Sequence, residues 1–176
     1  LNKPINDVFD DFSPKALASA SIAQVHAAKL KDGREIIIKV LRPNVHKIMT
    51  QDLEILEAMA KSAERFNKIA RKMNILALVR EAKTHMLNEL NLMREAASAC
   101  QLRRNFKDHK FLYIPEIHWP YCRDNIMVME RINGIPIHDV DTLKAKKVDM
   151  QVLAERGIEI FYTQVFRDCF FHADMH

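Results

Sequence analysis

Residues 14 to 43, "PKALASASIAQVHAAKLKDGREIIIKVLRP", contain two stretches rich in Ile and Val separated by an Asp-Gly turn signal. Ile22 to Leu30 and Glu35 to Leu41 read as antiparallel strands, and Lys31-Asp32-Gly33 marks the hairpin between them. Pro43 closes the second strand, because proline has no N–H to give to a ladder. Strand alternation sends Ile36, Ile38 and Val40 to one face and Ile37, Lys39 and Leu41 to the other. A lysine on an apolar face needs a reason. The plainest is a snorkelling or edge-strand lysine. The chemical alternative is an ammonium that reaches nucleotide phosphates and is held by a carboxylate from a helix.

The loop just ahead of the hairpin, "ALASASIAQVH", sharpens that choice. Small side chains let backbone N–H groups approach a phosphate, and the hydroxyls of Ser19 and Ser21 can donate to it. Alanine forbids the left-handed conformations that glycine allows, so such a loop is stiffer than a glycine-rich one. Plain packing of small residues is the competing explanation.

Moving outward, "QDLEILEAMAKSAERFNK" from Gln51 to Lys68 has helical composition. Asn74 is placed to cap a second helix running to about Phe106, with Val79, Ala82, Met86, Leu90, Met93, Ala97 and Cys100 along one stripe. Pro115 breaks the chain, "YIPEIHW" and "NIMVMERI" read as a second strand pair, and Asn133-Gly134 marks a hinge after them. "MQVLAERGIEIFYTQVFRDC" returns to helix. The order predicts an α+β lobe joined to a helical one.

Composition narrows the class. With 176 residues, 48% hydrophobic and 28% charged, the chain can bury a core of its own. Net charge is +4 with the basic residues scattered among acids, which describes a solvated surface with a slight bias toward anionic partners. No basic stripe with interleaved aromatics occurs and Trp119 is the sole tryptophan, so nucleic-acid binding is not expected. Cys100, Cys122 and Cys169 are odd in number and lack a C-x-x-C pair, which predicts free thiols. No apolar run approaches the ~20 residues of a membrane span and no signal-peptide pattern opens the chain, so this stretch is expected to be soluble by itself. It begins with Leu1 and ends in "FFHADMH", and is read as a piece of a longer protein.

Two further constellations carry chemistry. In "HMLNELNLMREAASA", Glu89 borders the apolar stripe, while Asn91 and Glu95, four apart, share another face of the expected helix. In "HADMH", His172, Asp174 and His176 alternate, a spacing suited to metal ligation or to a base that orients a hydroxyl. Solvated charges and a single loop-holding histidine are the simpler accounts of each.

Taken in order, "ALASASIAQVH", "DGREIIIKVLRP", "ELNLMREAASACQLRRNF", "LYIPEIHW", "MVMERINGIPI" and "LAERGIEIFYTQVFRDCFFHADMH" resemble the UbiB family of atypical kinase-like proteins, from about Phe12 to His176. The resemblance implies a protein-kinase-like α+β fold: a small β-rich lobe with inserted helices over residues 1–132, then a hinge and the beginning of a helical large lobe over 133–176. It implies that Ala16, Leu17, Ala18, Ser19, Ala20 and Ser21 form an alanine-rich nucleotide loop. Lys39 matches the phosphate-contacting lysine and Glu95 its helical ion-pair partner. Glu89 matches the first acid of an E-x-D motif whose second position is here Asn91, an amide that keeps hydrogen bonding and loses a charge. Glu130 to Ile135, Glu130 and Ile132 among them, would lie beside the adenine and contact it through backbone groups. Asp174 matches the catalytic-loop aspartate.

The implied cofactors are ATP and Mg²⁺, with the metal ligands expected beyond His176 and the family's K-x-G-Q motif upstream of Leu1. The implied function is that of an atypical kinase or ATPase supporting ubiquinone biosynthesis, this piece alone being catalytically inefficient. Implied partners are nucleotide and either ubiquinone-biosynthesis proteins or lipid precursors. The intact protein would sit at the cytoplasmic face of the inner membrane, anchored by segments outside this chain. Two other functions compete: a non-catalytic ATP-sensing regulator or scaffold of the same pathway, and a metal-dependent hydrolase centred on His172, Asp174 and His176.

Overall fold

A computed structural model describes residues 4–171 as two compact units. Among the described residues, the first comprises 4–97 and 117–130, the second 98–116 and 131–171.

The first unit opens with the short helix α1 (Ile5–Val8), strand β1 (Phe9–Phe12) and the two-residue strand β2 (Ala18–Ser19). The expected hairpin comes next as β3 (Ala23–Leu30) and β4 (Glu35–Leu41), in register from Ala23 opposite Leu41 to Lys29 opposite Glu35. Its loop is a tight one in which Gly33 takes φ +87°, a conformation that only glycine adopts without strain. Asp32 closes the turn by accepting from the Arg34 backbone N–H at 3.1 Å and from its guanidinium at 2.7 and 2.9 Å. After Pro43, Asn44 in the left-handed region turns the chain into α2 (Val45–Phe66). This helix starts six residues before the expected Gln51, because only the Asn44 turn interrupts the helical course; the β-branched Val45 and Ile48 do not prevent it.

Next come α3 (Lys68–Lys72), capped by Asn67 accepting from Ile69 and Ala70, and α4 (Ile75–Glu89). α4 runs beside α2 as an inserted helical pair. Glu57 of α2 takes Arg80 at 3.1 Å and Lys83 at 3.5 Å from α4, together with Lys61 at 3.2 Å from its own helix. Glu64 accepts from the Leu76 backbone N–H at 2.9 Å.

The single helix expected from Asn74 to Phe106 is two. α4 stops at Glu89, and α5 (Leu92–Asn105) starts afresh. Asn74 stands before α4 in a left-handed conformation without a side-chain cap bond. The break arises because Leu90 and Leu92 are both buried, which a continuous helix would place about 200° apart around its axis. The Asn91 carboxamide then satisfies the free N–H groups of the new helix start.

β5 (Ile126–Glu130) completes an antiparallel sheet in the order β1-β3-β4-β5, with β2 also paired to β3. Its predicted partner strand "YIPEIHW" is not a strand. It contributes one bridge, Ile117 to Met129, and one bond from His118 N–H to the Val128 carbonyl at 2.9 Å before a 3₁₀ turn over Trp119–Tyr121. Pro115 and Pro120 lack the N–H groups a longer ladder needs. The apolar core of this unit gathers Leu30, Ile36, Ile38, Leu92, Ala96 and Val128.

In the second unit, α6 (Val140–Ala145) is capped by Asp139 and α7 (Met150–Tyr162) by Asp149. α7 runs into a π-helical turn over Thr163–Arg167. Arg167 then binds Asp168 through both carboxylate oxygens and donates to the Asn105 carbonyl at 2.9 Å, where a cation suits a helix C-terminus. That guanidinium holds the Asp168 carboxyl below its usual range. All three cysteines are free thiols.

Candidate functional site

β4 is an interior strand, hydrogen-bonded to β3 on one side and β5 on the other, so Lys39 is not an edge lysine. Its cross-strand partners are Val25 and Met127, which flank it on the same face of the sheet. Only 26% of the side chain is exposed. The ammonium donates to both Glu95 oxygens, at 2.7 and 2.8 Å. Glu95 lies in the first turn of α5, where helix polarity favours a carboxylate. An ion pair this accessible contributes at most about 1 kcal/mol to folding. Its consequence is orientation: the lysine is fixed, charged, and partly open to solvent.

Asn91 is what aims that helix. Its side-chain oxygen accepts from Met93 N–H at 3.0 Å and Arg94 N–H at 3.3 Å, the geometry of an N-cap. Asn91 and Glu95 therefore do not share a helix face as the sequence suggested; one is the cap and the other sits in the turn after it. Aspartate and asparagine cap about equally well, so an amide here costs the helix nothing. The buried Leu92 adds a second anchor, its N–H bonding the Asp124 carbonyl at 2.8 Å. Glu89 is the exposed last residue of α4.

The small-residue loop is a hairpin laid along the start of β3. Leu17 N–H bonds the Val25 carbonyl at 2.8 Å, Ala18 and Ser19 pair with Val25 and Gln24, and Ala20 N–H bonds the Ala23 carbonyl at 2.9 Å. Ser21 and Ile22 form its tip. None of the residues from Ala16 to Ser21 takes a positive φ, so alanine fits every position without strain. Ser19 and Ser21 are exposed. One residue that the sequence did not single out holds this loop. Arg42 donates from Nε to the Ala20 carbonyl at 3.1 Å, from Nη2 to Ser19 Oγ at 2.7 Å, and from its backbone N–H to the Ile22 carbonyl at 2.8 Å. The signal was an arginine one step off the strand, legible only once Leu41 is known to stand opposite Ala23.

Glu130 ends β5 opposite Ile36 and belongs to the first unit, whereas the exposed Ile132 belongs to the second. His172, Asp174 and His176 lie outside the described residues. Among the described residues no group of three or more His, Cys, Asp or Glu side chains is arranged to hold a metal ion, and no helix is long and apolar enough to cross a membrane.

Comparison with known proteins matches residues 1–176 to the ABC1 atypical kinase-like domain. A Pseudomonas putida protein named "Probable protein kinase UbiB" is 49% identical over 100% of this chain and 33% of its own length. The Klebsiella pneumoniae protein of the same name is 52% identical over 98% of this chain and 32% of its own. The chain thus spans about a third of the length of the curated relatives it matches. Among solved structures, Rv3197 from Mycobacterium tuberculosis, determined in complex with erythromycin, aligns with a TM-score of 0.65 at 25% identity, covering 77% of this chain and 33% of that one. The fold is the mixed α/β, kinase-like one that the sequence led us to expect.

Proposed function

The chain belongs to the ABC1 atypical kinase-like family, and from that membership we propose that it is the ATP-binding part of an atypical kinase or ATPase that supports ubiquinone biosynthesis. The observation that carries the reading is the Lys39–Glu95 pair, an ammonium held by two oxygens on an interior strand and one strand away from an accessible small-residue hairpin. Phosphoryl transfer asks little covalent chemistry of a protein; it asks for positioned charge around the phosphates. In this reading Lys39 positions phosphate oxygens and Glu95 keeps Lys39 extended. The backbone of residues 16–21 covers the phosphates, with the Ser19 and Ser21 hydroxyls as donors. Backbone groups from Glu130 to Ile132 meet the adenine, and Asp174 acts at the transferred phosphate. These groups suit a nucleotide: one fixed cation, small side chains, and exposed hydroxyls. Magnesium would neutralise charge developing on the phosphates, held by ligands downstream of His176.

The whole protein's setting is inferred from the same resemblance and the UbiB name of its relatives. Its partners would be nucleotide with ubiquinone-pathway proteins or lipid precursors, and its site of action the cytoplasmic face of the inner membrane.

The test is Lys39→Met in full-length protein. ATP binding, measured by calorimetry, is expected to fall below detection; unchanged affinity would sink the reading. Phosphate release measured beside it separates turnover from sensing: tight ATP binding without release, with or without lipid, is the mark of a regulatory protein. Stoichiometric zinc, with binding indifferent to Lys39, would instead favour a hydrolase built on His172, Asp174 and His176.

A further inference from the structure

We propose that Arg42 is a positioning residue for the nucleotide loop, a tether that fixes the alanine hairpin where packing is incomplete; this rests on the nucleotide reading above. Hairpin tips are ordinarily held either by side chains packed beneath them or by polar bonds. Beneath the tip of this one, packing is incomplete. Ser21 and Ile22 at the tip, with Arg42 and Pro43, border a cavity of about 510 Å³ whose far wall is α2 and Met86 of α4. Ala18 and Ala20 are exposed and offer only methyl groups, and Leu17 is 54% exposed.

What remains is hydrogen bonding. β2 offers only two residues to the ladder, opposite Val25 and Gln24, flanked by the Leu17 and Ala20 N–H bonds to β3. The Arg42 guanidinium supplies two further bonds, to residues 19 and 20, and its backbone N–H, which any substitution keeps, a third to residue 22, so that the tip is tied to the end of β4. The Ser19 oxygen accepts from the guanidinium, which leaves its hydroxyl hydrogen free to point away as a donor. The same strand carries Lys39, three residues earlier. One rigid segment, residues 39–42, therefore sets both the phosphate-facing ammonium and the loop that covers it. A planar guanidinium suits this task because it makes two divergent bonds at once from two nitrogens in a fixed fork; a lysine carries its donors on one nitrogen and has no such fork.

The experiment compares full-length parent, Arg42→Ala, Arg42→Lys and Ser19→Ala by Mg-ATP and Mg-ADP titration, by hydrogen exchange over residues 18–23, and by thermal unfolding. Arg42→Ala is expected to weaken ATP binding about tenfold, the loss of roughly one charged hydrogen bond, and to speed loop exchange while the hairpin amides of residues 29–36 keep their protection. Arg42→Lys and Ser19→Ala should fall between parent and Arg42→Ala, and Ser19→Ala should add little to Arg42→Ala because the two share a bond. Faster loop exchange with unchanged affinity would overturn the tether's role while leaving the nucleotide site standing. Lost affinity in step with global unfolding, exchange rising across residues 29–36 as well, would reduce Arg42 to a structural residue. A parent that binds neither nucleotide would overturn the reading and the tether together.

Discussion

Lys39 and Glu95 are separated by 56 residues in sequence and by 2.7 Å in space, and most of what can be tested at the residue scale turns on them. Because Glu95 is 43% exposed, Glu95→Gln should change folding stability by no more than about 1 kcal/mol. The glutamine loses the charge that keeps the ammonium extended, so ATP affinity should fall severalfold. Denaturant unfolding and ATP titration of one preparation check both; a large stability loss with normal affinity would reverse the assignment. Asn91 makes a sharper contrast. Asn91→Ala removes an N-cap and should cost about 1 kcal/mol, whereas Asn91→Asp should be nearly neutral. If the aspartate variant instead gains nucleotide affinity or turnover, the position carries a chemical duty beyond the cap.

At the scale of elements, the ion pairs that join the inserted α2–α4 pair converge on one carboxylate. Glu57 accepts hydrogen bonds from Arg80, Lys61 and Lys83, which hold its carboxyl at about 2, well below the ordinary 4.5. A depressed folded-state value means that the contribution to stability is complete above pH ~4.5 and is lost as pH falls through ~2. Hydrogen exchange across residues 75–89 should therefore accelerate in that window. Glu57→Gln should abolish the pH dependence while leaving the pair weaker at neutral pH; a Gln variant with the parent's acid profile would place the titration elsewhere. The helices also illustrate what local signals miss. The apolar stripe from Val79 to Cys100 reads as continuous, yet the chain breaks at Leu90 because Leu90 and Leu92 both enter the core and Asn91 caps the new helix, α5. A helical period cannot report that its two halves answer to different neighbours.

At the scale of the whole molecule, a ligand that binds only the folded state stabilises it by mass action. Mg-ATP at a hundred times its dissociation constant should add about 2.7 kcal/mol to the unfolding free energy of the full-length protein. The Lys39→Met protein should show no such gain; an equal gain in both would place the nucleotide elsewhere. The sequence by itself determined the β3–β4 hairpin, with β4 found at the expected residues, and the family order of motifs. The hairpin is written in local signals: Ile and Val runs, an Asp-Gly turn, a proline that ends a ladder. Only the tertiary structure decided that β5 pairs beside β4 and makes Lys39 an interior residue, that α5 brings Glu95 to it, and that Arg42 reaches back to Ser19 and Ala20. These are contacts between residues far apart in the chain. Strand register and helix direction bring them together, and both are set by which apolar faces bury one another, a property of the packed molecule that no short window of sequence contains.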